Sequence, residues 1–358
     1  MKRPVQKDYL KSVYRTPLDT TDRLEYIRLD KNECTLQLPP HMLEMIRQSI
    51  TPEFLGCYPE VYKLYRALSA FHGFTEEHFL IAAGSDGAIR AAYDAFVNTG
   101  DDVTNIQPNF AMYDVYTRLH NANPVDICYD PTSLMLDTRK VAEHICDKTA
   151  LLVLSNPNSP VGAEIPLDDI RYLLEKAEEH DTRVIVDEAY YPFSDNTSAG
   201  FLNTHKNLIL LRTFSKAFGL AGLRVGYAIS SKENIDLMGK FKPMYEVNTL
   251  AVLCACSYLD QYQFIEQSVR ESLQIKKWFI NTIESLGFST IPGSSNFVNI
   301  VVGKKNVQCL VDMCRANRIL IRPGFPYGIL GECIRISVGT RSEMATAAEV
   351  LGRWKHAA

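Results

Sequence analysis

One lysine stands in a stretch suited to keeping it partly dry. Lys216 lies in Leu211-Arg212-Thr213-Phe214-Ser215-Lys216-Ala217-Phe218-Gly219-Leu220-Ala221-Gly222-Leu223-Arg224-Val225-Gly226-Tyr227, between the apolar runs Leu208 to Leu211 and Val225 to Ile229. Such runs read as buried strands, and in open α/β sheets ligands bind where strands end. A lysine held there loses hydration, its pKa falls, and its neutral amine becomes a nucleophile toward carbonyls. A loop lysine on its own is more often a solvated charge. Ser215 and Arg224 alter that balance: with Lys216 they offer a hydroxyl, an amine and a guanidinium to one compact anion. A phosphate-bearing aldehyde, pyridoxal phosphate, needs that set beside its point of attachment.

Other residues have matching chemistry. The apolar segment Arg183 to Val186 runs into Asp187-Glu188-Ala189-Tyr190-Tyr191. A carboxylate at the end of a buried strand is costly unless it meets a cation or hydrogen-bond donors. A protonated pyridine nitrogen is such a cation, although an aspartate there can also simply cap the next helix. Phe79 to Ala83 reads as a strand and leads through Gly84-Ser85-Asp86-Gly87 into a helix. Glycine at such a turn lets backbone amides and the positive helix end approach a phosphate. Arg335, flanked by Ile334 and Ile336, points away from those apolar neighbours, and its fork matches a carboxylate with two parallel bonds.

The run Ser215 to Tyr227 resembles the lysine segment of the class I/II aminotransferases, in particular the histidinol-phosphate aminotransferase branch, and the other motifs extend the likeness over nearly the whole chain. The resemblance implies the fold type I α/β architecture of pyridoxal-phosphate enzymes, a homodimer with sites at the interface, and transamination between a small amino donor and a 2-oxo acid. In its terms Lys216 holds the cofactor and moves protons, Asp187 pairs with the ring nitrogen and Tyr190 reaches the ring's 3-oxygen. Gly84, Ser85, Asp86, Ser215 and Arg224 cradle the phosphate, and Phe110 stacks on the ring. Tyr58, in Cys57-Tyr58-Pro59, crosses to the neighbouring subunit's phosphate. Arg335 takes the substrate carboxylate, Arg322 a substrate phosphate, and Asn32 belongs to an arm folded over the substrate. Two departures from the pattern stand out. Ser159 occupies the place of the asparagine that donates to the 3-oxygen, so Ser159, Asn158 or a water takes that role, and Gly87 replaces a frequent glutamate. A decarboxylase acting on phosphothreonine or phosphoserine is the alternative reaction, because relatives of that kind share the branch.

The elements that must position these groups are legible in outline. Seven apolar runs read as strands, Phe79 to Ala83, Val103 to Ile106, Val125 to Tyr129, Ala150 to Leu154, Arg183 to Val186, Leu208 to Leu211 and Val225 to Ile229. Helices fall between most of them, which predicts a largely parallel sheet covered on both faces. The expected divisions are an arm at 1–38, a large domain at 39–247 and a small α/β domain at 248–358, entered through helical material from Asn248 to about Leu286. The net charge of −4 argues against a nucleic-acid partner. The absence of any long apolar run argues against membrane insertion. Met1-Lys2-Arg3-Pro4 does not read as a leader, so a cytoplasmic location is expected. The nine cysteines lack metal-binding spacing, which favours reduced thiols and no metal site.

Overall fold

The computed structural model describes residues 8–13, 19–35 and 39–357. Met1 to Pro4, used above to argue against a leader, lie outside the described residues. The order begins with β1 (Ile27–Arg28), α1 (Pro40–Ser49), α2 (Pro52–Gly56), α3 (Tyr62–His72), β2 (Phe79–Ala82), α4 (Gly84–Phe96), β3 (Asp102–Gln107), α5 (Met112–Leu119) and β4 (Asn123–Cys128). It continues with α6 (Thr138–Glu143), β5 (Thr149–Ser155), α7 (Leu167–Glu178), β6 (Arg183–Asp187), β7 (Leu208–Thr213), β8 (Gly226–Ser230) and α8 (Lys232–Gly239). The remainder is α9 (Thr249–Asp260), α10 (Tyr262–Ser285), β9 (Ser289–Ile291), β10 (Phe297–Val301), α11 (Val307–Ala316), β11 (Ile319–Leu320), β12 (Arg322–Pro323), β13 (Cys333–Ser337) and α12 (Arg341–Ala357).

The seven expected strands form one sheet in the order β2-β8-β7-β6-β5-β3-β4. Strands β4, β3, β5, β6 and β7 run parallel, whereas β8 is antiparallel to both neighbours, β7 and β2. The central strands are apolar through Leu151 to Leu154, Val184 to Val186 and Leu208 to Leu211 because helices cover both faces. The ends of β5, β6 and β7 present Ser155, Asp187 and Thr213 along one rim, so the sheet alone brings Asp187 beside the lysine loop that follows β7.

A second, antiparallel sheet, β12-β13-β10-β9, holds the C-terminal groups. Ile334 and Ile336 of β13 are fully buried in its own apolar core, which leaves Arg335 on the opposite face. Residues 319–323 are divided between two sheets: β11 pairs with β1 of the N-terminal arm, and only Arg322 and Pro323 join the second sheet. The helical stretch from Asn248 is two helices meeting at Gln261. Apolar residues of α9 pack in the core of the large sheet. Along α10 the packing passes from that core, at Ile265 and Val269, to the second core at Ile275, Phe279 and Ile283. Leu29 of the arm is fully buried in the second core.

Candidate active site

The phosphate cradle is a meeting of backbones. Gly84 has φ +74°, and a Cβ there would stand 2.6 Å from Arg224 Nη2, so glycine is required both for the turn and for the guanidinium laid over it. Gly226 of β8 is equally constrained, since a Cβ would stand 2.4 Å from Ser85 N. These absences of side chain let the first turn of α4, with Ser85 and Asp86, lie directly against the lysine loop. Arg224 Nη1 donates to Ser215 Oγ at 3.3 Å, and Ser215 is further held by Thr213. The structure thus brings Ser215, Arg224 and the start of α4 together. Lys216 is turned elsewhere: its Nζ donates to the Lys31 carbonyl at 2.8 Å. Burial, then the Arg335 guanidinium, brings the Lys216 amine down to about 8 from the usual 10.5.

Asp187 is pushed up to about 6 by burial, against hydrogen bonds that pull it down. Those bonds come from Tyr113 Oη to Oδ2 at 2.8 Å and from Ala189 N to Oδ1 at 3.0 Å. The carboxylate's bond to the N–H two residues on closes a turn rather than capping a helix. Tyr113 lies three residues beyond Phe110 in the first turn of α5, and sequence reasoning did not single it out. Phe110 is 45% exposed and packs edge-on against Tyr113, leaving a ring face open.

Asn158 is fully buried, with both ends of its amide engaged in loop structure: Nδ2 donates to Pro108 O at 3.2 Å and Oδ1 accepts from Val161 N at 3.0 Å. Ser159 instead lies beside Tyr190, where its hydroxyl favours the ionised phenol. Their loop is gripped from the second sheet by Asn299 Nδ2, which donates to Pro160 O at 3.0 Å. Arg322, Arg335 and Asn299 are directly opposite one another across β12, β13 and β10. Burial and the nearby Arg322 both depress Arg335.

The described part of the arm is fastened rather than loose. Arg23 pairs with Asp30 and with Glu33. Three successive arm carbonyls accept from the site: Asp30 O from Arg335 Nη2 at 3.2 Å, Lys31 O from Lys216, and Asn32 O from Asn296 Nδ2 at 3.1 Å. Asn32, only 2% exposed, also donates through Nδ2 to Tyr190 Oη at 2.8 Å. Tyr58 lies on the surface, 73% exposed, stacked on Tyr245 at 4.2 Å between ring centroids. Among the described residues no cluster of three metal-ligating groups occurs.

Behind the rim, Arg212 and Glu188 form an ion pair at 2.8 Å with side chains 3% and 2% exposed. The guanidinium also lies 3.5 Å over the Tyr191 ring and donates to Thr197 Oγ1 at 2.7 Å. This pair fixes β6 to β7 below the chemistry.

A lysine of lowered pKa at a strand end, an anion cradle of glycine backbone with Ser215 and Arg224, and a buried carboxylate define a fold type I α/β enzyme of the pyridoxal-phosphate kind. The chain belongs to the aminotransferase class I and II family, whose model matches residues 25–351. A histidinol-phosphate aminotransferase of Thermoanaerobacter sp. (strain X514) is 32% identical over 322 residues, covering 87% of this chain and 88% of that one. A histidinol-phosphate aminotransferase of Rippkaea orientalis (strain PCC 8801 / RF-1) is 29% identical, covering 94% of each. Among solved structures, histidinol-phosphate aminotransferase from Sinorhizobium meliloti in complex with pyridoxal-5'-phosphate superposes with TM-score 0.87 at 24% identity over 98% of both chains. Aspartate aminotransferase from Thermus thermophilus with maleate gives TM-score 0.82 at 20% identity, over 98% of this chain and 100% of that one. At such identities the two structures establish the fold.

The lowered lysine makes a pH prediction. Only the neutral amine attacks an aldehyde, so capture of added pyridoxal phosphate by the cofactor-free protein should quicken about tenfold per pH unit up to about 8 and then level off. Stopped-flow absorbance across pH checks this; continued acceleration to the usual lysine range would show that the amine is solvated.

Proposed function

We propose that this aminotransferase passes an amino group between a phosphorylated amino compound, of the histidinol-phosphate kind, and a 2-oxo acid. The observation that carries the substrate reading is the pair Arg335 and Arg322, directly opposite each other on adjacent strands. Two guanidiniums so close repel unless anions separate their charges, and a carboxylate or phosphate takes two parallel bonds from either fork. Arg335 is assigned the carboxylate of the 2-oxo acid and Arg322 the phosphate of the donor.

The cradle fits pyridoxal phosphate: Gly84, Ser85, Asp86, Ser215 and Arg224 would hold the phosphate, and Phe110 offers a face to the ring. Asp187 would pair with the ring nitrogen, whose charge would relieve the burial that now raises the carboxyl. Tyr190 and Ser159 are assigned to the 3-oxygen, and Asn158 to holding the loop. When bound, the cofactor supplies an aldehyde for the amine and a ring that accepts electrons. Lys216 Nζ, neutral near pH 8, is the base for the α-proton. Asp187 keeps its charge in place through Tyr113, and Arg335 orients the carboxylate.

A second copy of the chain is the proposed partner, with Tyr58 extending to its phosphate. The reading is supported by the exposed Tyr58, stacked on Tyr245, and by the exposed Phe241 and Met244 close before Tyr245 in sequence. No helix among the described residues is long and apolar enough to cross a membrane, and the proposed location is the cytoplasm. The proposed domain division remains arm, large domain and small domain, with α10 as the bridge.

The test mixes the cofactor-loaded protein, without any acceptor, with histidinol phosphate, phosphoserine, phosphothreonine and glutamate in turn. The expected result is one loss of the cofactor's visible absorption per site, with no gas evolved. Carbon dioxide released over many turnovers would show decarboxylation instead. Arg322→Ala should lower kcat/KM for the phosphorylated donor by about 10²-fold while leaving the 2-oxo acid half-reaction little changed. Equal losses in both halves would remove Arg322 from the phosphate.

A further inference from the structure

Asn32 sits where the arm, the large sheet and the second sheet meet. Its backbone N–H donates to Ser337 Oγ at 2.8 Å, and Ser337 Oγ donates back to Asn32 Oδ1 at 2.9 Å. That exchange leaves the Asn32 amide nitrogen directed at Tyr190 Oη, 2.8 Å away. All three side chains are nearly inaccessible, at 2%, 1% and 5% exposure. Asn32 has φ +55°, a backbone state that asparagine tolerates better than most residues, so backbone and side chain are fixed together.

A phenol has one proton to give and two lone pairs. Because Asn32 donates to Tyr190, one lone pair is occupied, and the phenolic proton must be directed elsewhere. Ser159 is the other hydroxyl at Tyr190. Ser159, with a shorter side chain, also stands where the family's asparagine donor is expected, so the direction of the Tyr190 proton toward the cofactor's 3-oxygen matters more. Resting on the reading of Tyr190 as a partner of that oxygen, we infer that Asn32 is a positioning residue: oriented by Ser337, it holds the Tyr190 hydroxyl as a donor toward the cofactor. The arm and the second sheet thereby act on the cofactor's proton balance without touching it.

The measurement is the pH midpoint of the bound cofactor's visible absorption change in the loaded full-length protein. A donor to the 3-oxygen draws off negative charge that otherwise holds the neighbouring proton, so losing the donor raises the midpoint. Asn32→Gly removes the amide while accommodating the positive φ, and the midpoint should rise by about one pH unit. Ser337→Ala should raise it by less. Neither substitution alters the charged groups acting on the lysine, namely Arg335, Glu33, Arg224 and Asp187, nor Arg322 beside Arg335. In a Tyr190→Phe background both shifts should disappear.

An Asn32→Gly shift that persists undiminished in Tyr190→Phe would overturn the inference, since Asn32 would then act by another route. So would unmoved midpoints in Asn32→Gly and Ser337→Ala when Tyr190→Phe does shift. If Tyr190→Phe itself moves nothing, the assignment of Tyr190 to the 3-oxygen fails first and takes the inference with it. Should Asn32→Gly not fold, Ser337→Ala in the two backgrounds gives the same decision.

Discussion

Lys216→Ala should lose turnover by about 10⁴-fold or more while the protein still folds and binds pyridoxal phosphate weakly. On the proposed reading one side chain supplies both the covalent attachment and the base, and a positioned general base alone contributes about 10²–10⁴-fold. Ser215, Arg224 and the first turn of α4 do not involve the lysine side chain, so the anion cradle survives. Lys216→Arg is the informative companion: it keeps a cation beside the Lys31 carbonyl, yet an arginine does not deprotonate at working pH. Both variants should be equally inactive in a single-turnover assay. Substantial turnover in either would mean that the proton passes through another group.

The second large effect is on folding. Glu188→Ala leaves the Arg212 guanidinium buried with its Thr197 and Tyr191 contacts but no counter-charge. Removing one partner of a buried ion pair costs about 3–5 kcal/mol, a large share of the roughly 5–15 kcal/mol that holds a typical domain folded. The urea midpoint of the variant should fall sharply. A double variant, Glu188→Leu with Arg212→Met, should recover most of the loss, because no unpaired charge remains and the volume is filled. If both denature alike, shape at this position matters more than charge.

The local chemistry of the site was legible because it is written in short segments. Lys216, Ser215 and Arg224 fall within ten residues, and Asp187 follows an apolar run whose burial demands a partner. The seven strands were legible for the same reason, but an apolar run has no direction, and the antiparallel course of β8 could not be read from Val225 to Ile229. Residues that act through distant partners escaped. Tyr113 meets Asp187 across 74 positions, and Asn299 reaches Pro160 across 139, separations that no periodicity spans. Tyr113 had one available signal: a phenol one helical turn beyond the ring-stacking position, on the side facing the strand ends. The division of residues 319–322 was hidden because β11 is drawn off by the arm, a competition settled only in the folded chain.

The clasp between Asn32 and Ser337 joins residues 305 positions apart. Contacts of such separation carry a large loop-closure cost and form late. Until β13 is in place the Lys216 amine lacks Arg335, the largest charge contribution, after burial, to its lowered pKa. A reactive amine in an unfinished chain would meet every free aldehyde in its surroundings. With Arg335 on the last strand, the lysine reaches its fully lowered pKa only once that strand is in place.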